Sequence, residues 1–405
     1  MSWDTIRFGD LYSVGSRNGL TKPSKVRGSG YKMINMGELF SNDRIYDIPM
    51  ELVPLKESEK NNAKVEKGDL LFARQSLVLE GAGKCSIVME VSPLTVFESH
   101  IIRVRLIEDA NPMFYYYYFR SPLSPMKSIV SQCAQAGIRG SDLQELDVLY
   151  PPKTVQDKIA DILENYDSLI ENNQKQIKLL GEAAQRLYKE WFVDLHFPGH
   201  ETTPVVDGVS EGWKKDRADI FFNITIGKTP PRVEKQWFVN GDEGIPWLSI
   251  SDMGNAGTFA FITNEGLTEE AVKKQNMKVV PAGTIFVSFK LTVGRVAIAT
   301  KEMCTNEAIA HFYIDNDIQR AYAYCYLLNF EYDTLGNTSS ISKAVNSKII
   351  KAMPFVMPTE DIIIAFSNQV EPILNEIKAK QAACLKLAEA RDRLLPKLMS
   401  GEIEV

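Results

Sequence analysis

Two loops rich in basic and hydroxyl side chains are the parts of this sequence best suited to holding a phosphate-bearing ligand. Residues 21–32 contain four cations and no carboxylate. Residues 227–237 contain a similar set, in which Arg232 aligns with Lys22. Lysine and arginine contact phosphates, while arginine, threonine and glutamine also read the edges of bases. The repeated spacing therefore predicts two similar anion-binding loops.

Further along, each half contains one stretch without any acidic residue. No acidic residue occurs from Ala110 to Ser141 or from Thr334 to Thr359. Solvated surface loops would explain any one such stretch, but the repetition makes nucleic-acid binding an equally good interpretation. The candidate DNA-binding residues are Lys22, Lys25, Arg27, Lys32, Lys84, Arg139, Lys228, Thr229, Arg232, Lys235, Gln236, Arg295, Ser339, Ser340, Lys343, Asn346 and Lys348.

Other motifs give weaker signals. Gly81-Ala-Gly-Lys84-Cys85 is close to the phosphate-binding pattern GxxxxGK[ST], but Val78 replaces the first glycine and Cys85 replaces the hydroxyl residue. A hairpin turn is the better interpretation, and Gly294-Arg295 in the other half supports it.

Residues 111–118 contain two features, an Asn-Pro opening and a run of aromatic residues. Each feature has two possible interpretations. Asn111-Pro112-Met-Phe resembles the Asn-Pro-Pro-Phe/Tyr loop of amino-group methyltransferases, without its second proline. An asparagine N-cap followed by proline at the first helical position explains it without catalysis. The aromatic run Phe114–Tyr118 could stack on bases, but on a helix it would point in all directions, which favours a buried helix.

Bulk properties fit a multidomain protein of the reducing cytoplasm without a metal or other cofactor. The five cysteines form no CxxC pair, and the four histidines form no triad or metal cluster. His196 and His200 have helical spacing, but the intervening Pro198-Gly199 excludes a helix. The net charge of −6 gives no bulk support to nucleic-acid binding, so local charge distribution has to carry that hypothesis.

Two long helices must position these loops. Apolar residues recur every three or four positions from Ile159 to Trp191, and the pattern returns 207 residues later. Nine residues are identical at that offset, which indicates a tandem duplication in which each half ends in a helix of about 37 residues. The predicted interhelix seam is Ile159, Leu163, Tyr166, Ile170, Asn173, Ile177, Leu180, Leu187, Trp191, Phe366, Val370, Ile373, Ile377, Lys380, Leu387, Leu394 and Leu398.

The two seams predict that the helices pack against each other, because a helix lying on a globular core usually has a wider apolar stripe. Packing of each helix on its own half is the alternative. Polar residues at one seam position, Asn173 and Lys380, would fix the register. Pro372 could kink the second helix or mark its start.

The order of these features resembles the specificity subunit of type I restriction–modification systems. The motifs are Pro151-Pro152-Lys-Thr-Val-Gln156, Gly227-Lys-Thr-Pro-Pro231, Gly244-Ile-Pro-Trp-Leu-Ser-Ile-Ser-Asp252 and Arg393-Leu-Leu-Pro-Lys-Leu-Met-Ser-Gly401. The resemblance covers the whole chain. Met357 and Ile363 depart from it, which affects the entry to the second helix.

The resemblance implies an α+β fold with two β-rich target-recognition domains and short helices. Two long helices forming an antiparallel coiled coil would separate them, and the duplication would give pseudo-twofold symmetry. The expected boundaries are 1–150 and 213–357 for the recognition domains, 151–195 and 358–405 for the helices, and 196–212 for the linker.

A non-catalytic, cytoplasmic subunit follows from the same resemblance. It would read a bipartite DNA target, with the helices as spacer and as docking surface for two methyltransferase subunits, which restriction subunits join. The alternatives are a single-chain DNA methyltransferase or nuclease with degenerate motifs, and a coiled-coil interaction protein without DNA binding.

Overall fold

The computed structural model describes residues 3–132, 136–206, 208–241, 243–335 and 345–405. The chain forms two compact units, which we call unit 1 (Met1–Ile170 with Lys386–Val405) and unit 2 (Glu171–Leu385). Each unit therefore contains one β-rich half of the sequence and one end of each long helix.

Unit 1 is built on a five-stranded sheet in the order β2-β10-β6-β8-β4, in which only the β4–β8 pair is parallel. A second sheet has the order β5-β3-β9, a third has the order β11-β12-β7, and β1 pairs with β13. The strands are β1 Thr5–Arg7, β2 Tyr12–Asn18, β3 Tyr31–Ile34, β4 Arg44–Ile45, β5 Glu51–Val53, β6 Leu70–Ala73, β7 Gln75–Ser76, β8 Cys85–Val88, β9 Val96–Phe97, β10 Ile101–Leu106, β11 Ser131–Gln132, β12 Ala136–Gly137 and β13 Asp147–Leu149. The short helices are α1 Met36–Ser41, α2 Glu57–Asn62, α3 Pro112–Arg120 and α4 Gly140–Gln144.

The aromatic helix α3 forms the centre of the core of unit 1. Asn111 caps it, since its Oδ1 accepts from the amides of Met113 and Phe114 at 2.8 and 3.2 Å. Every residue from Phe114 to Phe119 is buried. The N-cap and buried-helix interpretations are both confirmed, and base stacking by this segment is excluded.

Unit 2 repeats this architecture. Its five-stranded sheet has the order β17-β25-β22-β23-β20, again with one parallel pair, β20–β23. A four-stranded sheet, β18-β21-β19-β24, corresponds to β5-β3-β9, and the pair β16–β26 corresponds to β1–β13. The strands are β14 Val205–Val206, β15 Val209–Ser210, β16 Lys214–Arg217, β17 Ile224–Ile226, β18 Phe238–Asn240, β19 Ile245–Leu248, β20 Phe259–Ala260, β21 Glu265–Leu267, β22 Ile285–Ser288, β23 Val296–Ala299, β24 Cys304–Thr305, β25 Ile309–Phe312 and β26 Pro354–Met357. The short helices are α6 Ala218–Phe221, α7 Ile250–Asn255, α8 Glu269–Lys274, α9 Arg320–Asn329 and α10 Ser347–Lys351.

Individual contacts repeat at the same offset as the sequence. The Tyr115 hydroxyl donates to Leu149 O at 3.1 Å in unit 1, and the Tyr322 hydroxyl donates to Val356 O in unit 2. Tyr322 lies 207 positions after Tyr115, and Val356 lies 207 positions after Leu149. The internal duplication predicted from the sequence is thus present in the fold.

The long helices are α5, Lys153–Tyr188, which continues into a π-helical turn at Lys189–Val193, and α11, Glu360–Ser400. Pro372 lies inside α11, so it neither starts nor ends that helix. Ile363 is buried in α11 at the position that corresponds to Gln156 of α5, which is also buried. Gln156 Nε2 donates to Pro151 O at 2.8 Å, whereas isoleucine fills the equivalent place by apolar packing.

The two helices contact each other inside each unit. In unit 1, Arg391 forms an ion pair with Asp167. In unit 2, the ring centroids of Tyr188 and Trp191 lie 6.4 and 5.8 Å from that of Phe366. The helices therefore run antiparallel in unit 2, since Gln174 and Gln381 also share one groove there.

The seam positions are all buried or half-buried along 153–193 and 360–400, where the chain is fully described. The stripe is wider than the sequence pattern predicts. The additional buried positions are Gln156, Ala160, Asp167, Tyr188, Ile363, Ser367, Leu374, Leu395 and Met399. They are buried because each helix segment packs both on the other long helix and on the β-rich part of its unit.

Candidate nucleic-acid interface

Several loops of unit 1 converge at one end of the five-stranded sheet. The amide of Gly19 donates to Ile101 O at 3.3 Å, and the amide of Arg74 donates to His100 O at 2.8 Å. The amide of Ile138 donates to Arg74 O at 2.9 Å, which brings the segment after β12 to the same place. The loop end of unit 1 is made of residues 17–20, 74–80, 98–100 and 136–140.

Unit 2 has an equivalent loop end. The amide of Gly227 donates to Ile309 O at 3.0 Å, and the amide of Phe289 donates to Ala308 O at 2.9 Å. The strands β17, β25 and β22 are therefore arranged at this end as β2, β10 and β6 are in unit 1. The loop end of unit 2 is made of residues 226–229, 288–295 and 305–309.

A glycine begins the first loop in both units because the backbone passes too close to allow a side chain. A Cβ on Gly19 would lie 2.0 Å from Phe97 O, and one on Gly227 would lie 2.1 Å from Asn306 O. Contacts under about 3 Å are not tolerated between carbon and a backbone oxygen, so only glycine fits. The two glycines fix where the basic loops leave their sheets.

Three of the predicted basic residues in the first loop are neutralised by nearby carboxylates. Lys22 Nζ lies 2.7 Å from Glu59 Oε2 and only 10% of the side chain is exposed, while Lys32 Nζ lies 2.8 Å from Asp47 Oδ1. The hydrogen bond from Lys32 holds the pKa of Asp47 at about 2. The hydrogen bond from Lys22 likewise lowers the pKa of Glu59. Arg27 pairs with Glu51 in the same way.

Predicted residues in the turns also have partners within the protein. Lys84 Nζ donates to Phe40 O at 2.7 Å and lies 3.1 Å from Asp43, which argues against a phosphate-binding role for the Gly81–Cys85 turn. Arg295 donates to Ile250 O at 2.8 Å.

In unit 2 most of the predicted DNA-binding residues also form ion pairs or hydrogen bonds within the protein. Arg232 pairs with Glu265 at 2.8 Å, and its guanidinium carbon lies 4.4 and 4.7 Å from the ring centroids of Phe238 and Trp247. The remaining contacts are Lys228 Nζ to Gln275 O, Thr229 Oγ1 to Glu307, Gln236 Nε2 to Glu234, and Asn346 Oδ1 to the amides of Lys348 and Ile349.

Four predicted cations differ from the rest because they are exposed and unpaired. Lys25, Arg139, Lys235 and Lys348 have no ion pair or side-chain hydrogen bond with any residue that the structure describes. An anion can therefore bind them without first displacing a carboxylate. Ser339, Ser340 and Lys343 lie outside the described residues.

The loop ends also contain polar side chains that the sequence patterns did not identify. In unit 1 these are Arg74, Gln75 and His100, with His100 Nδ1 2.9 Å from Gln75 Oε1. In unit 2 they are the exposed Lys290 and Thr292. A usable signal was a polar run directly after a buried strand, as in Arg74-Gln75-Ser76 after β6. These residues are neither repeated nor part of a known motif, so periodicity and offset could not find them.

Two buried side chains of unit 2, His311 and Cys304, have strongly shifted pKa values. Burial lowers the pKa of His311 to about 4, and its ring nitrogens lie 2.9 Å from Thr225 Oγ1 and 2.7 Å from Thr305 Oγ1. Burial raises the pKa of the Cys304 thiol to about 12. Across the described ranges, no three His, Cys, Asp or Glu side chains come together in a way that could hold a metal ion.

A profile described as the type I restriction modification DNA specificity domain matches residues 1–181 and again residues 210–381. The two matches cover most of the chain and coincide with its two repeats. The chain belongs to the family of type I restriction–modification specificity subunits.

Curated specificity subunits of this family are similar to this chain over shares that range from 40% to 100% of its length. The MjaIX subunit of Methanocaldococcus jannaschii is 25% identical over 100% of this chain and 94% of its own length. The HindI subunit of Haemophilus influenzae is 24% identical over 64% of this chain and 70% of its own length. The EcoKI subunit of Escherichia coli is 29% identical, over 40% of this chain and 35% of that protein.

The fold of a solved specificity subunit is also similar. The S subunit from M. genitalium superimposes with a TM-score of 0.59 at 13% identity, covering 98% of this chain and 96% of the other. At that identity the match concerns the fold.

Proposed function

We propose that this specificity subunit reads a bipartite DNA target, with one part read by each loop end. The observation that carries the proposal is that the two units share a strand order but present different polar side chains at the same end of the same sheet. A shared frame with different loops is what two separate recognition modules require. Residues 1–150 and 213–357 are the two recognition domains, 151–195 and 358–405 are the connecting helices, and 196–212 is the linker.

The side chains divide into two chemical groups. Unpaired cations such as Lys25, Arg139 and Lys235 contact phosphates, which position the protein on the duplex. Gln75, His100 and Thr292 have the donors and acceptors that distinguish base pairs in the grooves. The carboxylate-paired residues Lys22, Arg27, Lys32 and Arg232 hold the loops in shape.

The chemistry of modification and cleavage belongs to partner subunits in this proposal. Two methyltransferase subunits and the restriction subunits dock on the specificity subunit, which is itself non-catalytic and works in the cytoplasm. In the described part of the chain, no helix is both long and apolar enough to cross a bilayer. The alternatives of a single-chain methyltransferase and of a coiled-coil protein without DNA binding have no observation that favours them.

A net charge of −6 sets the first test. Phosphate neutralisation supplies most non-specific affinity, so the isolated chain is expected to bind DNA weakly and the complex with methyltransferase subunits tightly. Fluorescence anisotropy with labelled duplexes measures both. Between about 50 and 200 mM salt the complex should lose roughly a thousandfold in affinity.

Two results would contradict the proposal. One is nanomolar, sequence-specific binding by the isolated chain at physiological salt. The other is methyl transfer to DNA by the isolated chain with a labelled methyl donor, which would place catalysis on this chain.

A further inference from the structure

Each loop end carries a leucine that is almost fully exposed. Leu77 and Leu291 are both 89% exposed, and each is accompanied by a second exposed apolar residue, Val78 at 59% and Val293 at 40%. Neighbouring positions in the sheets below them are fully buried. Isolated exposed aliphatic residues are common on protein surfaces, but here an exposed leucine recurs in the same strand connection of two diverged units.

The two leucines occupy equivalent hairpins. Leu77 lies between β6 and β8, and Leu291 lies between β22 and β23. Both strand pairs are antiparallel and belong to the centre of their sheets. The hairpins are therefore held firmly at their bases, and their tips project from the loop ends rather than from the helices.

The conformation of Leu291 gives no benefit to folding. Its φ is +63°, in the left-handed region that a side chain with a Cβ disfavours. Glycine or asparagine would adopt this conformation with less strain. A leucine that is both strained and exposed opposes stability twice, and such sites are kept where the side chain has another task.

The turn around Leu291 is otherwise well ordered. The Ser288 hydroxyl donates to Thr292 O and accepts from the amide of Arg295 at 3.0 Å, while the amide of Gly294 donates to Ser288 O at 2.9 Å. These bonds close the turn beneath the leucine and point the tip away from the sheet. The leucine is presented on a rigid support.

The surroundings of the tips are polar and basic. Lys290 precedes Leu291, and Arg74 and Gln75 precede Leu77. Neither Lys290 nor Arg74 has an ion pair with a described residue. An apolar tip beside unpaired cations fits a stacked, polyanionic ligand better than an apolar protein groove, because the cations meet phosphates while the leucine meets base faces.

We propose that Leu77 and Leu291 are wedges that insert between neighbouring base pairs, one in each part of the DNA target. The inference rests on the proposed function. Insertion of a leucine unstacks a base step and kinks the duplex, so that sequence is also read through the ease of deforming that step. Flexible pyrimidine–purine steps are the favoured insertion points.

The test uses the complex of this chain with its methyltransferase subunits and a duplex carrying the site found by mapping modified bases in cells that express the complex. 2-Aminopurine is placed in turn at each position of both parts, leaving out the base that is modified. Its fluorescence rises when a neighbour is unstacked. The variants are Leu77→Ala and Leu291→Asn, and the latter suits the left-handed backbone.

Matched controls remove an exposed aliphatic side chain away from the loop ends. Leu123→Ala serves unit 1, since Leu123 is 42% exposed, and Ile262→Ala serves unit 2, since Ile262 is 55% exposed. Thermal unfolding of each variant shows that the fold is kept. Leu291→Asn should be as stable as the original chain or slightly more stable.

The expected result is a fluorescence rise at one step in each part with the original complex. Leu77→Ala should abolish it in one part and Leu291→Asn in the other, each with about tenfold weaker binding. The controls should change neither. A folded Leu291→Asn complex that binds with unchanged affinity and unchanged fluorescence overturns the wedge.

The experiment distinguishes a failure of the leucine insertion from a failure of the proposed DNA recognition. A complex that binds its bipartite site without any fluorescence change would refute the wedge and leave recognition intact. A complex that shows no preference for the mapped site over unrelated DNA would refute the proposed function itself.

Discussion

The contact between the two long helices is polar at one place in unit 1 and apolar at the equivalent place in unit 2. In unit 1, Asp167 of α5 is 7% exposed and pairs with Arg391 of α11. The positions 207 residues away, Leu374 and Ala184, are 1% exposed and belong to an apolar cluster. A partly buried ion pair in unit 1 and two buried apolar residues in unit 2 thus occupy equivalent places in one duplicated fold.

A second difference lies in the central sheets. Arg103 in β10 and His311 in β25 face the corresponding positions of β6 and β22. The Arg103 guanidinium donates to Lys64 O at 3.2 Å, while the His311 ring sits between two threonine hydroxyls. Both side chains are almost fully buried. The same buried place in the two sheets therefore holds an arginine in one unit and a histidine in the other, each with at least one hydrogen-bond partner.

The loop ends follow a different rule. They share a glycine at the first turn and an exposed leucine at a hairpin tip, but their polar side chains differ in type and number. Solvent satisfies exposed polar groups, so packing does not restrict these positions. The comparison teaches that the frame was kept for stability while the loops were free to diverge.

The largest expected effect is at the helix contact of unit 1. Arg391→Ala leaves the Asp167 carboxylate with the Tyr117 hydroxyl, 2.7 Å away, but without its cation. Losing one partner of a largely buried pair should destabilise the chain by about 3 kcal/mol. Urea unfolding followed by circular dichroism measures the loss.

The double variant Asp167→Leu with Arg391→Ala copies the apolar solution of unit 2. Its free energy of unfolding should return to within about 1 kcal/mol of that of the original chain. A small loss should remain because the Tyr117 hydroxyl no longer has the Asp167 carboxylate as its acceptor. If the double variant were as unstable as Arg391→Ala, the two contacts would not be interchangeable.

The next effect is the acid sensitivity of unit 2. His311 is neutral in the folded chain, where its pKa is about 4 compared with 6.5 in its ordinary environment. A depressed histidine pKa stabilises the fold above pH 6.5, and that stabilisation is lost as the pH falls toward 4. The loss should be about 2 kcal/mol between pH 7 and pH 5.

Tryptophan fluorescence is a suitable probe, because Trp191, Trp213, Trp237 and Trp247 all belong to unit 2. His311→Gln is the control, since glutamine keeps hydrogen bonds to the threonines but does not titrate. An equal loss of stability with pH in both proteins would show that His311 is not responsible.

A smaller effect is expected when an unpaired lysine and a carboxylate-paired lysine of the same loop are each replaced by alanine. Lys25→Ala should weaken DNA binding by the complex roughly tenfold or less and reduce the salt dependence by about one ion, without affecting folding. Lys22→Ala should reduce stability instead, because Glu59 loses its partner, and should leave the salt dependence unchanged. If both variants lowered the salt dependence equally, the pairing of Lys22 would not matter for DNA.

The fold was more predictable than the interface, for physical reasons. The heptad spacing and the 207-residue offset led to the helices and the duplication, because buried positions must recur with the helical repeat. The basic residues were visible in the sequence, but their pairing was not. Glu59, Glu51 and Asp47 are distant in the chain from Lys22, Arg27 and Lys32, and come close only through the tertiary fold.

The central claim is that each loop end reads one part of the target. The most direct measurement is genome-wide mapping of modified bases in cells that express the complex with Arg74→Ala and Gln75→Ala in unit 1, or with Lys290→Ala and Thr292→Ala in unit 2. The first pair should relax the sequence of one part of the site and the second pair should relax the other part. Equal relaxation of both parts by either pair, or an unchanged site with both pairs, would contradict the account.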